Sequence, residues 1–190
     1  MKKIFLALLS AGIIFLACTK PPVEEMNRAI DALNRAENDA NAVLYAPNYL
    51  SRARDAIDKM QEEANSKRFD SAKFYAAEAL SNAEKAVIEG STGAARFRED
   101  ALSLLDSLKA PLSETEANLD AAKQVPNILL DFDSLDRSLE TANGAYNGAQ
   151  MSLSAGNFND AIEKGQNVRS TLGNINAQIS GAAIASMGKK

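Results

Sequence analysis

Residues 46–64, APNYLSRARDAIDKMQEEA, decide the fold class. Pro47 suits the first turn of a helix, where its missing N–H costs nothing. Behind it Leu50, Ala53, Ile57, Met60 and Ala64 recur in steps of three and four, which sets all five on one helical face. Charged residues fill the positions between them. Such a stripe must be buried against another element, and the helix should stop around Asn65-Ser66-Lys67.

Downstream, a second helix begins near Phe69-Asp70 and turns Ala72, Ala76, Ala79 or Leu80, Ala83 and Val87 inward. The short connection makes the two helices antiparallel neighbours, with Phe69 plugging the end of the hairpin. Upstream, Val23, Met26, Ile30, Leu33, Ala40 and Leu44 form the face of a preceding helix. That helix should end near Tyr45, because Pro47 disfavours helical geometry at Ala46.

Further along, Gly90-Ser-Thr-Gly93 either breaks the helix or weakens it. Phe97, Ala101, Leu104 and Leu108 resume the pattern up to Pro111, where an end is expected. Ser113-Glu-Thr-Glu116 reads as a capping box opening a short segment through Leu119 and Ala122. Two stripes complete the chain. One is Leu135, Leu139, Ala142, Tyr146, Ala149 and Leu153, with Asp133 or Ser134 as its cap. The answering one runs from Phe158 and Ala161 through Val168, Leu172 and Ile175, after a turn at Ala155-Gly-Asn157. Ala, Leu, Glu, Lys and Arg favour helices, and runs of β-branched residues are missing. The expected fold is all-α, in elongated antiparallel helical hairpins, either a bundle or a short tetratricopeptide-like array.

Composition narrows the chemistry. The 190 residues contain no His and no Trp, and a single Cys. Ser-His-Asp and Cys-His catalysis and the usual His/Cys zinc sites are thereby excluded. Carboxylate pairs, Lys and Tyr remain, so the sequence argues against an enzyme without forbidding one. There are 21 basic and 25 acidic side chains. No basic run offers an electrostatic footprint for nucleic acid, and no cofactor motif is present. Asp131-Phe-Asp133-Ser-Leu-Asp136 suggests a calcium loop, but Leu135 and Asp136 stand where such a loop needs an oxygen ligand and a Gly. No metal site is assigned there, and helix capping is the better reading.

The N-terminus carries the clearest signal. Lys2 and Lys3 precede the apolar run Ile4–Phe15, and Leu16-Ala17-Cys18 follows, the order of an export signal. The run is shorter than the roughly 20 apolar residues that span a bilayer. This stretch resembles a bacterial lipoprotein signal. Leu16 and Ala17 fit its lipobox, while Phe15 stands where that box prefers Leu. The resemblance implies cleavage before Cys18, which would carry a thioether-linked diacylglycerol and an N-terminal acyl chain of the palmitate class. As the only cysteine, Cys18 cannot form an intramolecular disulfide. Two acyl chains suffice for stable anchoring. Residues 1–17 are then the signal peptide and 18–22 a tether. Residues 23–110 and 111–186 are an N-terminal and a C-terminal hairpin unit, and 187–190 a frayed tail. The mature chain has 173 residues and a side-chain charge of −6. Thr19, rather than the inner-membrane-retaining Asp of some bacteria, points to the outer membrane.

Tyr45-Ala46-Pro47-Asn48-Tyr49-Leu50, Ala53, then Phe69-x-x-Ala72 with Ala76, Ala79, Ala83 and Ala86 resemble a family of short bacterial envelope lipoproteins. That family carries an alanine-rich helical-hairpin domain of unknown function. The resemblance covers roughly residues 27–90 and transfers no catalytic residue. Ala155-Gly156-Asn157-Phe158-x-x-Ala161 is similar to the mid-repeat turn of tetratricopeptide units, although the 34-residue period and its other signatures are missing. There is also an internal likeness. Ala46-Pro47-Asn48-Tyr49-Leu50 echoes Val125-Pro126-Asn127-Ile128-Leu129, and Arg68-Phe69-Asp70-Ser71-Ala72 echoes Asn157-Phe158-Asn159-Asp160-Ala161.

Charge is unevenly spread. Residues 51–100 hold 19 charged side chains and residues 141–190 only six. Charged residues are depleted at interface cores, so the C-terminal hairpin is a candidate for self-association. The sequence thus favours a non-enzymatic, membrane-anchored envelope scaffold that meets a protein partner. The alternative is a helical carrier or receptor for a small apolar or lipid ligand, lined by Tyr45, Tyr49, Phe74, Tyr75, Phe97 and Phe132.

Overall fold

The computed structural model describes residues 20–187, with side chains through Ser186. The signal, Cys18 and the end of the expected frayed tail lie outside the described residues. Those residues form α1 (Val23–Glu37), α2 (Ala40–Tyr45), α3 (Pro47–Asn65), α4 (Phe69–Lys123), α5 (Phe132–Ser154) and α6 (Phe158–Met187). No strand occurs among them, so the fold is all-α. Two compact units divide between Ala86 and Val87, inside α4, and Pro111 lies in the second unit.

The first unit takes α1, α3 and α4 as far as Ala86. Its turn at residues 66–68 folds α4 back on α3, so that Lys59 Nζ lies 5.5 Å from the ring centre of Tyr75. Arg54 Nε meets Glu37 Oε1 at 2.6 Å, pairing the start of α3 with the end of α1. Lys73 Nζ meets Glu25 Oε1 at 2.9 Å, so α1 and α4 start at the same end. The core is mostly alanine: Ala29, Ala36, Ala53, Ala72 and Ala79 are fully buried around Met60. Small side chains let helix axes approach toward the lower limit of about 8 Å. This shifts the face expected for α1. Ala29, Ala32, Leu33 and Ala36 are buried there, while Met26 and Ile30 are partly covered and Val23 is exposed.

The expected single helix up to Tyr45 is instead two. Asp39 is extended, and its carboxylate accepts from the backbone N–H of Asn41 at 2.8 Å and of Ala42 at 3.0 Å. A short acid at this position caps a new helix better than it continues an old one.

The second unit takes α2, α4 from Val87, α5 and α6. Gly90 and Gly93 do not break α4; they let α2 lie against it. A Cβ on Gly90 would sit 2.6 Å from Ala42 Cα, and one on Gly93 would sit 2.7 Å from Tyr45 Cβ. Nor does α4 end at Pro111. Pro111 removes one backbone bond, to the carbonyl four residues earlier, at a cost of about 3 kcal/mol. Against that, Leu105, Leu108, Leu112 and Leu119 form one buried stripe running past the proline on both sides. The expected capping box is therefore helix interior, where Ser113 Oγ bonds back to Lys109 O at 3.4 Å.

Helix α5 is capped by Asp131, which accepts from Ser134 N at 3.0 Å, not by Asp133 or Ser134. It runs antiparallel to α4, with Lys123 Nζ 2.9 Å from Asp136 Oδ1 near their joined ends. Helix α6 runs parallel to α4: Arg169 donates to Ser107 at 3.1 Å and Asn176 to Thr115 at 2.7 Å. Leucines of α4 and α5 close this core with Val168, Leu172 and Ile175.

The two hairpin turns correspond. Lys67 N donates to Ala64 O and Arg68 N to Glu63 O; Gly156 N donates to Leu153 O and Asn157 N to Ser152 O. Both are the paired closure of a Schellman motif around a left-handed residue, Lys67 at φ 58° and Gly156 at φ 81°. Phe69 and Phe158 then open the next helix, and Ala72 and Ala161 are fully buried. The other half of the internal likeness diverges, because Pro47 opens α3 whereas Pro126 sits in the loop before α5.

Candidate functional site

The lipidation candidate, Cys18, lies outside the described residues, which begin at Lys20. Pro22 is buried, Val23 N donates to Pro21 O at 2.8 Å, and Met26 N donates to Pro22 O at 3.0 Å. The end of the unit from which the tether leaves is the end that carries the 66–68 turn. The Glu25–Lys73 pair fixes this, and the Lys73 ammonium holds the Glu25 carboxyl below its ordinary range. Phe74 is 65% exposed there, edge-on to Tyr75 with ring centres 5.3 Å apart. Lys67 is exposed, while Arg68 is held by the Glu63 carboxylate, 2.8 Å from one of its oxygens.

The aromatic residues named as a ligand lining fall in separate places. Tyr45 stacks on Phe97 at 5.1 Å in the second unit, where burial pushes the Tyr45 hydroxyl pKa up. In the first unit Tyr49 lies under Arg52, 5.6 Å from its ring centre, while Phe74 and Tyr75 are on α4. Phe132 packs on the leucine core of the second unit.

Two polar clusters were not foreseen. Ser152, in the second unit, donates to Gly148 O at 2.9 Å and makes a short contact with Asp160. Lys164 Nζ lies 2.9 Å from Ser152 Oγ and 2.6 Å from Asp160 Oδ2. A serine beside a lysine resembles a nucleophile and its base. The geometry opposes that role: Asp160 keeps the ammonium paired, and Lys164 and Ser152 hold the Asp160 carboxyl below its ordinary range. The cluster ties the start of α6 to the end of α5. The other joins α4 to α6, where fully buried Thr115 accepts from Asn176, which in turn accepts from Asn118 at 3.1 Å. The sequence signal for each was a polar residue on an apolar stripe, Ser152 and Thr115.

Each unit carries an open groove. That of the first unit, about 560 Å³, lies between α3 and α4 and is lined by Arg52, Asp55, Lys59, Glu78 and Lys85, with charges of both signs. That of the second, about 430 Å³, lies between α4 and α5 over Leu102, Leu105 and Leu153, with the Tyr146 hydroxyl buried beneath and unpartnered. Among the described residues no three His, Cys, Asp or Glu side chains gather as a metal site, and no helix is long and apolar enough to cross a membrane.

No curated protein and no solved structure matches the chain. Residues 24–102, which take in α1, α2, α3 and the first part of α4, match a family model described as a domain of unknown function (DUF4398).

Proposed function

We propose that this chain is a bacterial envelope lipoprotein, anchored through acyl chains on Cys18, whose helical units act as a non-enzymatic scaffold for a protein partner. The observation that carries the reading is the order of the first 18 residues: a basic start, an apolar run too short to span, then Leu16-Ala17-Cys18. The absence of His and the commitment of the lone Cys to lipid remove the commonest catalytic side chains. The match over residues 24–102 accords with a domain of unknown function in this part of the chain, and the likeness to envelope lipoproteins rests on the residues from Tyr45 to Ala86. Thr19 favours the outer membrane. The low charge of residues 141–190, with six charged side chains, supports self-association through the C-terminal hairpin.

The test is the intact mass and membrane partitioning of the wild type beside Cys18→Ser. Loss of residues 1–17 with gain of acyl mass in the wild type, and failure of the variant to mature so, is the expected result. A soluble, unacylated wild type overturns the anchor. Crosslinking in cells followed by purification then tests the scaffold, which predicts a recovered protein partner absent from the untagged control.

A further inference from the structure

We propose that the turn end of the first unit, made of Lys20, Val23, Lys67 and Phe74, is a lipid-facing surface that rests on the headgroups of the membrane holding Cys18. The inference rests on the lipid-anchor reading and adds to it a docked orientation of the first unit.

Chain length forces the contact. Pro22 is buried and α1 starts at Val23, so only Thr19, Lys20 and Pro21 separate the lipidated residue from the packed body. Four residue steps reach at most about 14 Å. The headgroup layer is itself about 5–8 Å thick on each side. An anchor this short holds the adjoining end of the unit at the headgroups.

What that end exposes suits such a place. Phe74 is 65% and Val23 57% exposed. Phe74 lies about 8 Å along α4 from its first residue, within reach of the interface. A phenyl ring beds at the boundary of headgroup and acyl chain as it does on the apolar face of interfacial helices. Arg68 and Lys73 have their charges matched by Glu63 and Glu25, whereas Lys67 and Lys20 form no ion pair among the described residues. Lys67 is also conformationally anomalous. It holds φ 58°, a region costly for any residue with a Cβ, where the corresponding turn uses Gly156. The turn's paired backbone hydrogen bonds hold Lys67 in this geometry, and the residue, exposed and outside any ion pair among the described residues, is placed to meet a lipid phosphate.

The chain has no Trp, so one introduced indole reports its own surroundings. The acylated full-length mature protein carrying Phe74→Trp is reconstituted into phosphatidylcholine vesicles whose acyl chains are brominated near the headgroup. Tyr49→Trp serves as control, since Tyr49 is about 24 Å along α3 from the turn. The expected result is severalfold stronger quenching for Phe74→Trp than for Tyr49→Trp, and a fall in that quenching when Lys67→Glu is added. Equal or absent quenching at both positions, in protein whose mass confirms acylation, overturns the proposal and leaves Phe74 for a protein partner. Quenching indifferent to Lys67→Glu overturns the role of Lys67. A protein without acyl mass overturns the anchor reading itself, and the docked orientation with it.

Discussion

Lys67 and Gly156 occupy the same position in two turns closed by the same pair of backbone hydrogen bonds. Only glycine adopts this left-handed geometry without a steric cost, which is about 1–2 kcal/mol for other residues. Lys67 makes no ion pair among the described residues that could offset it. Lys67→Gly is therefore expected to raise the stability of the first unit by about 1 kcal/mol, less the glycine entropy lost on folding. A urea titration reads this as a higher midpoint with unchanged slope. If the same variant loses lipid contact, stability and function trade against one another at one residue.

Glycines inside the helices separate into two classes with opposite expected signs. At Gly90 a Cβ would meet the backbone of Ala42 at 2.6 Å, and backbone cannot give way as a side-chain tip can. Gly90→Ala should dislodge α2, seen as faster amide exchange across Ala40–Tyr45 and a lower urea midpoint. At Gly173 and Gly181 nothing lies within 4 Å. Alanine there should stabilise α6 by about 1 kcal/mol each through helix propensity alone. Destabilisation by Gly173→Ala in the isolated protein would mean that something packs on that face in solution.

These positions show what the sequence disclosed and what it hid. The stripe from Leu50 to Met60, the turn at 66–68 and the hairpin of α5 and α6 follow from spacing and turn chemistry, which are local. Three readings failed where a tertiary contact outweighed a local preference. Asp39 capped a new helix inside a continuous apolar pattern, because that break lets α2 lie on Gly90 and Gly93. Pro111 stayed inside α4, because leucines on both sides of it share one core. The face of α1 shifted to its alanines, because close helix approach rewards small side chains over the larger Ile30 and Met26. Lys67 gave no signal at all, since nothing in its neighbourhood marks a left-handed lysine. Phe74 looked like a lining residue because its exposure depends on which face the alanines claim.

Pro111 tests the second of those balances. In α4 the Ser107 carbonyl has no N–H four residues on to receive, and proline inside a helix costs about 3 kcal/mol relative to alanine. Pro111→Ala is expected to restore that bond and raise the stability of the second unit by about 1–3 kcal/mol. Calorimetry should show a higher midpoint for the transition that includes α5 and α6. A lower midpoint would mean that the ring, which is partly buried, packs better than it costs in helix geometry.

Acid should loosen the start of α6 in a way that Asp160 controls. Lys164 and the Ser152 hydroxyl hold the Asp160 carboxyl below its ordinary value of 3.8, so the folded chain binds that proton less readily than the unfolded chain. Stability then rises with pH wherever the unfolded state carries more protons. The contribution is complete above 3.8 and is lost as pH falls through the lower folded value. Glu25 and Glu63, lowered by Lys73 and Arg68, act with the same sign in the first unit. The side chains of Asp160 and Lys164 are 47% and 40% exposed, so salt screens the pair and low ionic strength is needed to see it. As pH falls below about 4, the urea midpoint of the second unit should fall more steeply in the wild type than in Asp160→Asn. The variant begins lower at neutral pH, since it has already lost the charge that acid removes. Parallel slopes would show that Lys164 and Ser152 do not hold Asp160 in solution, and the clasp between α5 and α6 would then rest on apolar packing alone.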